Sequence, residues 1–342
     1  MFAVRREICA YAIDKTDFYG YYILTMELKD IISRFIITDT GGRADYSHGC
    51  AAAVGCFDGV HLGHRALIGE LCVRANEKRL PAVIFTFLPD DRPKQNTKLL
   101  ASRRGNLRLL AACGVNRVIE IPFGAVRDIP AEDFVRDILL RAFDVRLAVG
   151  GYNFRFGYRG SGDNALLAAV LAEGGAECFV TPAYTFCGIP VSSTEIRERI
   201  HCGDVRTANA MLGRQYSFSG TIIHGKGIGH MLGFPTINIH FPQNFTVPRY
   251  GVYASEVRLD GITYGGVTNI GIRPTFGGDT VPMSETFIFG FSGDVYGRTA
   301  AVSLCGFIRD ERRFESTDTL KNQIETDKIY AKSILSEGGP AI

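Results

Sequence analysis

Hydrophobic and polar residues follow two different rhythms along the chain. Up to about Leu212, short apolar runs alternate with longer stretches of helical period. Ala51–Gly55, Pro81–Phe87, Arg117–Ile121 and Arg146–Gly150 read as buried strands. Between them, Leu62–Arg79 places Leu62, Ala66, Leu67, Leu71 and Val73 near a 3.6-residue repeat. Helices are also expected near Arg104–Cys113, Ala131–Phe143 and Asn164–Glu173. This βαβα succession predicts a doubly wound α/β domain, a parallel sheet with helices on both faces. Ligands of such sheets bind at the carboxyl ends of the strands.

After about Leu212 strands dominate: Tyr216–His224, Val252–Leu259, Thr263–Ile270, Glu285–Phe291 and Thr299–Phe307. Gly and Pro cluster between them, and the spacing predicts a small antiparallel β-barrel. Ser316 reads as the N-cap of a terminal helix ending near Leu335. The expected organisation is an extension at 1–25, a first domain at 26–203, a linker at 204–213, a second domain at 214–336 and a tail at 337–342. Residues 1–25 hold an apolar patch, Tyr19–Leu24, with Asp14, Lys15 and Asp17 upstream. No run there reaches the roughly 18 apolar residues of a membrane helix, and the cleavage pattern of a signal peptide is missing. The segment is expected to be an over-extended gene start or a loose extension.

Composition narrows the class. The 342 residues are 46% hydrophobic and 22% charged, enough for two domains with real cores. With 38 basic and 36 acidic residues the net charge is +2, which leaves no nucleic-acid footprint. Neither a nucleic acid nor a membrane is expected as a partner. Nine cysteines without a CxxC pair argue against a disulfide framework or zinc site and fit a reducing cytoplasm.

The most informative stretch is Gly55-Cys-Phe-Asp-Gly-Val-His-Leu-Gly-His64. Gly55, Gly59 and Gly63 let backbone approach a ligand closely. The helix that follows offers free N–H groups and a positive dipole end, which favour phosphate. His61 and His64 fall on one face of its first turn. Such a pair suits hydrogen bonding to the α-phosphate and leaving pyrophosphate of a nucleotide. The bare pattern also fits two exposed histidines at a helix start.

Several ordered motifs carry a resemblance. Gly55–His64, including Phe57, Asp58 and Gly63, looks like the signature of the bacterial bifunctional riboflavin kinase/FMN adenylyltransferase (FAD synthetase) family. Gly150-Gly-Tyr-Asn-Phe-Arg-Phe-Gly157 and Val191-Ser-Ser-Thr-Glu-Ile-Arg197 are similar to its later adenylyltransferase motifs. Gly225-Lys-Gly-Ile-Gly-His-Met-Leu-Gly-Phe-Pro-Thr-Ile-Asn238, Asn269-Ile-Gly-Ile-Arg-Pro-Thr-Phe276 and Asp294-Val-Tyr-Gly297 match its kinase module. The resemblance spans roughly Met26 to Ser336.

It implies a nucleotidyltransferase-type parallel sheet followed by a kinase barrel. The substrates would be riboflavin, FMN and ATP, the product FAD, and the metal Mg²⁺. In the first module it gives ATP phosphate contacts to His61 and His64, nucleotide or flavin phosphate to Asn153, and an approach to the phosphates to Ser193, Thr194 and Arg197. Asp58 is expected to shape the turn, and Ser193-Thr194 also reads as a plain helix start with Arg197 exposed. In the second it makes Glu285 the base for the ribityl 5′-hydroxyl. Gly225, Lys226, Gly227 and Gly229 would wrap ATP phosphates, a stretch that otherwise suits a flexible hairpin. Thr236 and Asn238 would ligate Mg²⁺, and Asn269, Arg273 and Thr275 would line the flavin. Glu285 shares strand parity with Phe287, Phe289 and Phe291, which puts it in a site or at a rim.

Two departures from the family pattern matter. Leu88-Pro-Asp-Asp-Arg-Pro93 carries Asp90 where relatives have a histidine, and its two carboxylates are expected to weaken phosphate binding nearby. Phe287 and Gly290 replace residues often polar in relatives. Three other readings stay open at this level: a riboflavin kinase with a silent adenylyltransferase module, a flavin- or nucleotide-binding regulator, and a cytidylyltransferase.

Overall fold

The computed structural model describes residues 26–41, 44–93, 97–225, 236–274 and 280–337. The expected extension at 1–25 lies outside them, as does the tail beyond Glu337. The chain forms two compact units, Met1–Thr97 with Arg103–Pro190, and Lys98–Ser102 with Val191–Ile342.

The first unit opens with α1 (Met26–Ser33) and β1 (Ile36–Asp39), then β2 (Cys50–Val54), α2 (Leu62–Glu77) and β3 (Ala82–Phe87). It continues with α3 (Arg103–Ala112), β4 (Arg117–Ile121), α4 (Ala131–Asp133, running on as a π-helix over Phe134–Ala142), β5 (Val145–Gly151), α5 (Asn164–Glu173) and β6 (Glu177–Thr181). Strand order is β1-β4-β3-β2-β5-β6. All neighbours are parallel except β1, which joins β4 antiparallel. One face packs Ala52, Val83, Phe85 and Ile119 under α1, α4 and α5. The other packs Ala51, Ala53, Ile84 and Val149 under α2 and α3. The order of connection reverses between β2 and β5, so the loops after those two strands flank the crevice where such sheets bind ligands.

The expected helices and strands are present, with corrections. In α2 the buried stripe is Leu67, Ile68, Leu71 and Ala75, whereas Ala66 and Val73 face solvent. The 131–143 helix winds wider than expected, although Phe134, Val135, Ile138, Leu139 and Ala142 still make one buried face.

The second unit contains α6 (Ser193–Cys202), α7 (Val205–Leu212), β7 (Tyr216–Thr221), β8 (Thr236–His240), β9 (Gly251–Leu259), β10 (Ile262–Pro274), β11 (Thr280–Ile288), β12 (Thr299–Arg309) and α8 (Thr317–Ser336). The stretch 204–213, expected as a linker, is instead helix α7. Its Val205, Ala208, Met211 and Leu212 are buried, and Asn209 donates to Leu304 O at 2.8 Å and accepts from Tyr216 N at 2.7 Å.

The six strands form one antiparallel sheet in the order β8-β11-β10-β9-β12-β7. It rolls until Ile223, just past β7, bridges to Asn238 of β8. One sheet face carries a buried hydroxyl chain, Ser255–Thr268–Thr286, at 2.6 and 2.9 Å. The opposite face carries Val252, Ala254 and Val267, which pack against Ala331 of α8. Ser316 caps that helix through a reciprocal box with Thr319. Bidentate bonds from Arg309 to Asp327 tie it to β12.

Candidate functional sites in the two units

In the first unit, chain direction and capping explain the histidine geometry. The chain leaves the central strand β2 at Val54, makes a tight loop and enters α2 at Leu62. His61 is the N-cap, and its Nδ1 accepts from His64 N at 3.2 Å. A ring nitrogen that accepts carries no proton, so this bond assigns the His61 proton to Nε2. The two imidazoles stack with centroids 3.6 Å apart, and Phe57 meets His64 edge-on at 5.2 Å. A Cβ on Gly55 would come within 3.2 Å of the Phe57 ring, so glycine there lets Phe57 close over the loop. Gly63 sits within the first turn of α2.

Asn153 follows β5, on the other side of the reversal in strand order. Beside it, Asn164 Nδ2 donates to Gly151 O at 2.9 Å, while its buried Oδ1 has no hydrogen-bond partner. Asn164 went unnoticed in the sequence, where it reads only as the first residue of a helix.

The Leu88–Pro93 segment gives its charged residues three different settings. Asp91 does not project as a free charge: both its oxygens accept from Gly124 N, at 3.2 and 3.0 Å, and so serve a short helical turn. Asp90 is exposed. Arg92 is buried and lies 3.9 Å from Asp58. Asp58 thus shapes the loop through an ion pair that spacing alone did not reveal.

Ser193, Thr194 and Arg197 open helix α6, which packs with the second unit. The residue that caps it is Ser192, whose side chain accepts from Glu195 N at 3.2 Å. Arg197 Nε donates to Lys98 O at 2.6 Å.

In the second unit, strand register assembles the other site. Asn238 of β8, Glu285 of β11 and Asn269 of β10 stand directly opposite one another and form one row across three strands. Thr236, two residues from Asn238, lies on the same face, and its Oγ1 donates to Glu285 Oε1 at 3.0 Å. Asn238 is buried, and a Cβ on Gly225 would meet its side chain at 2.3 Å. Asn269 Nδ2 donates to Glu311 Oε1 at 3.2 Å, while its Oδ1 is buried without a hydrogen-bond partner.

Glu311, missed in the sequence, follows β12 and lies against the backbone of Gly271. Strand β11 ends at Ile288, earlier than expected, because Gly290 turns the chain at φ +64°. Phe287 and Phe289 still pair at 5.8 Å near Glu285, but Phe291 turns to Tyr264. Lys226, Gly227, Gly229 and Thr275 lie outside the described residues, as does the side chain of Arg273.

Among the described residues no cluster of three His, Cys, Asp or Glu side chains suits a metal ion. No helix among them is long and apolar enough to cross a membrane.

A Rossmann-like sheet with a histidine pair at its switch point, and an antiparallel half-barrel with a carboxylate–hydroxyl pair, define a two-part nucleotide-handling enzyme. Family models agree: FAD synthetase matches residues 43–195 and riboflavin kinase matches 212–335. The bifunctional riboflavin kinase/FMN adenylyltransferase of Escherichia coli K12 is 36% identical over 86% of this chain and 95% of its own length. That of Bacillus subtilis is 34% identical over 82% and 90%. A solved structure described as a macrolide-efflux protein from Streptococcus pneumoniae superposes with TM-score 0.75 at 26% identity, covering 86% of this chain and 97% of that one. The chain belongs to the bifunctional riboflavin kinase/FMN adenylyltransferase family.

Proposed function

We propose that this chain makes FMN from riboflavin in its second unit and FAD from FMN in its first, using ATP in both, in the cytoplasm. The observation that carries the first activity is the His61–His64 stack at the sheet's switch point, with His61 Nδ1 tied to the helix start.

In adenylyl transfer, a phosphate oxygen of FMN attacks the α-phosphorus of ATP. A new P–O bond forms, the bond to the bridging oxygen breaks and pyrophosphate leaves. The FMN phosphate is largely dianionic near neutral pH, since its second pKa is about 6. It needs positioning and charge stabilisation rather than a base. His61 Nε2–H and the His64 imidazole donate to the α-phosphate and leaving oxygens. Asn153 acts as a further contact to nucleotide or flavin phosphate, and the resemblance alone assigns Ser193, Thr194 and Arg197 to phosphate.

In phosphoryl transfer, the ribityl 5′-oxygen attacks the γ-phosphorus, its proton passes to Glu285 and ADP leaves. Asn269 presents its buried Oδ1 to a flavin donor, while Arg273 and Thr275 are assigned to the flavin, and Gly225, Lys226, Gly227 and Gly229 to the ATP phosphates, by sequence resemblance alone.

The residues present fit Mg²⁺. Thr236 gives its proton to Glu285, which leaves its oxygen lone pairs free for a hard cation. Thr236 and Asn238 would hold the ion together with ATP oxygens. When bound it neutralises charge on the transferring phosphates.

A second reading keeps only the kinase, and Asp90 in place of the relatives' histidine favours it. A chromatographic time course with riboflavin, ATP and Mg²⁺, resolving FMN from FAD, separates the two. FAD accumulating after FMN is the expected result. FMN alone leaves the kinase-only reading, and neither product overturns both.

A further inference from the structure

The loop between β2 and α2 is held from three sides. Thr86 Oγ1 on β3 donates to Cys56 O at 3.0 Å. Asn106 Oδ1 on α3 accepts from Gly59 N at 3.0 Å. The third hold is the Asp58–Arg92 ion pair, at 3.9 Å with side chains only 6% and 9% exposed. Between these anchors the backbone is strained, with Phe57 at φ +45° and the β-branched Val60 at φ +40°. Residues in such conformations cost roughly 1–3 kcal/mol each and persist only where their surroundings over-determine them.

Asp58 also poses an electrostatic problem. It places a carboxylate inside a loop whose task is to receive a polyphosphate. A buried carboxylate is expensive unless paired, and left uncompensated it would repel the ligand. The compensating charge comes from Arg92, in the very segment where Asp90 replaces the relatives' histidine. A second bond, from Arg92 Nη2 to the carbonyl of Thr97, fixes the guanidinium at its other side.

We propose that Arg92 is a positioning residue for adenylyl transfer: by neutralising Asp58 it holds the Gly55–His64 loop in the form that accepts the triphosphate of ATP. The proposal rests on the adenylyltransferase reading of the first unit. Arg92 acts through Asp58 and not on the reacting atoms.

The test uses the full chain with Arg92→Met, Arg92→Lys, Asp58→Asn and the Arg92→Met/Asp58→Asn double variant. FAD formation is measured with ATP varied, and riboflavin phosphorylation in the same samples monitors the second unit. Arg92→Met should raise KM for ATP on the order of 10- to 100-fold, the scale of a misplaced binding element, with a smaller change in kcat. Arg92→Lys should fall between it and the wild type. Adding Asp58→Asn should restore most of the loss, since no buried charge is then left unpaired.

An unchanged KM in Arg92→Met, or a double variant as impaired as Arg92→Met, would overturn the proposal. If Arg92→Met does not fold, the double variant decides alone: near-wild-type KM supports the proposal and a raised KM refutes it. If the wild type forms no FAD, the adenylyltransferase reading fails separately. ATP titration read from the His61 and His64 imidazole resonances then still tests the loop: weaker binding in Arg92→Met supports the clamp, and equal binding overturns it.

Discussion

Replacing Glu285 with Gln isolates the proposed base of the kinase unit. Glu285 sits within β11, with paired strands on both sides, so its backbone is fixed by the register with Asn238 and Asn269. Gln has the same shape and keeps an oxygen to accept the Thr236 hydroxyl, now at 3.0 Å. What disappears is the negative charge and the ability to take the 5′-hydroxyl proton. A positioned base contributes about 10²–10⁴ in rate, which corresponds to about 2.7–5.4 kcal/mol of activation free energy. The structural cost is far smaller, on the order of the 0.5–1.5 kcal/mol net worth of one hydrogen bond. Turnover of riboflavin to FMN at saturating Mg-ATP should therefore fall by two to four decades (about 10²–10⁴). FMN-to-FAD conversion by the same preparation should not change. A Glu285→Gln enzyme that makes FMN within about threefold of the wild-type rate, well inside the range assigned to a base, would refute the assignment. The carboxylate would then be only the hydrogen-bond partner of Thr236.

Two further predictions concern the first unit. His61→Ala removes both the N-cap and an imidazole donor; it should cost about 1 kcal/mol of stability and about 10²–10³ in FAD formation. His61→Asn should restore the cap but not the rate, and recovery of the rate would assign His61 to capping alone. Stability should also fall in alkali. Burial pushes the Cys50 thiol and the Tyr46 phenol up to about 12, from ordinary values of 9.0 and 10.0. The unfolded chain therefore releases these protons first, and stability declines as pH rises from about 9 towards 12. Urea midpoints should drop over that window and drop less in Cys50→Ala; identical slopes in the two proteins would contradict the cause.

Local period and punctuation made most of the fold legible. The strand ending at Val54, the glycine turn and the helix from Leu62 follow from a short apolar run, Gly55 and Gly59, and the residues that face inward. Ser316 announced α8 because an N-cap is a local device. What escaped depended on distant partners. Helix α7 looked like a linker because its buried face is completed by contacts such as Asn209 to Leu304. Strand β1 is short and joins its sheet only through β4.

The site divides in the same way. The helix-start position of His61 and the strand position of Glu285 were legible as local patterns. Arg92 on Asp58 and Glu311 on Asn269 were not, because folding alone brings these pairs together. The partner of Asp91 was hidden for a related reason: the amide its carboxylate accepts belongs to Gly124.

The two units answer two different chemical demands. An alcohol must lose a proton as it attacks, so the proposed kinase site calls for a carboxylate beside the groups that would hold Mg²⁺, and Thr236 suits both by donating to Glu285 while keeping its lone pairs. A phosphate dianion arrives already ionised, so a base in the first unit would add only repulsion. There the one carboxylate within the signature loop, Asp58, lies against Arg92, and the groups proposed to meet ATP are the imidazoles of His61 and His64. Of the acidic residues in and near the loop, Asp58 is met by the cation of Arg92, whereas Asp91 accepts only the neutral amide of Gly124 and keeps its charge. On the proposed mechanism, the adenylyltransferase half depends on how the acidic residue of its signature loop is paired, and the kinase half on a carboxylate that takes up a proton.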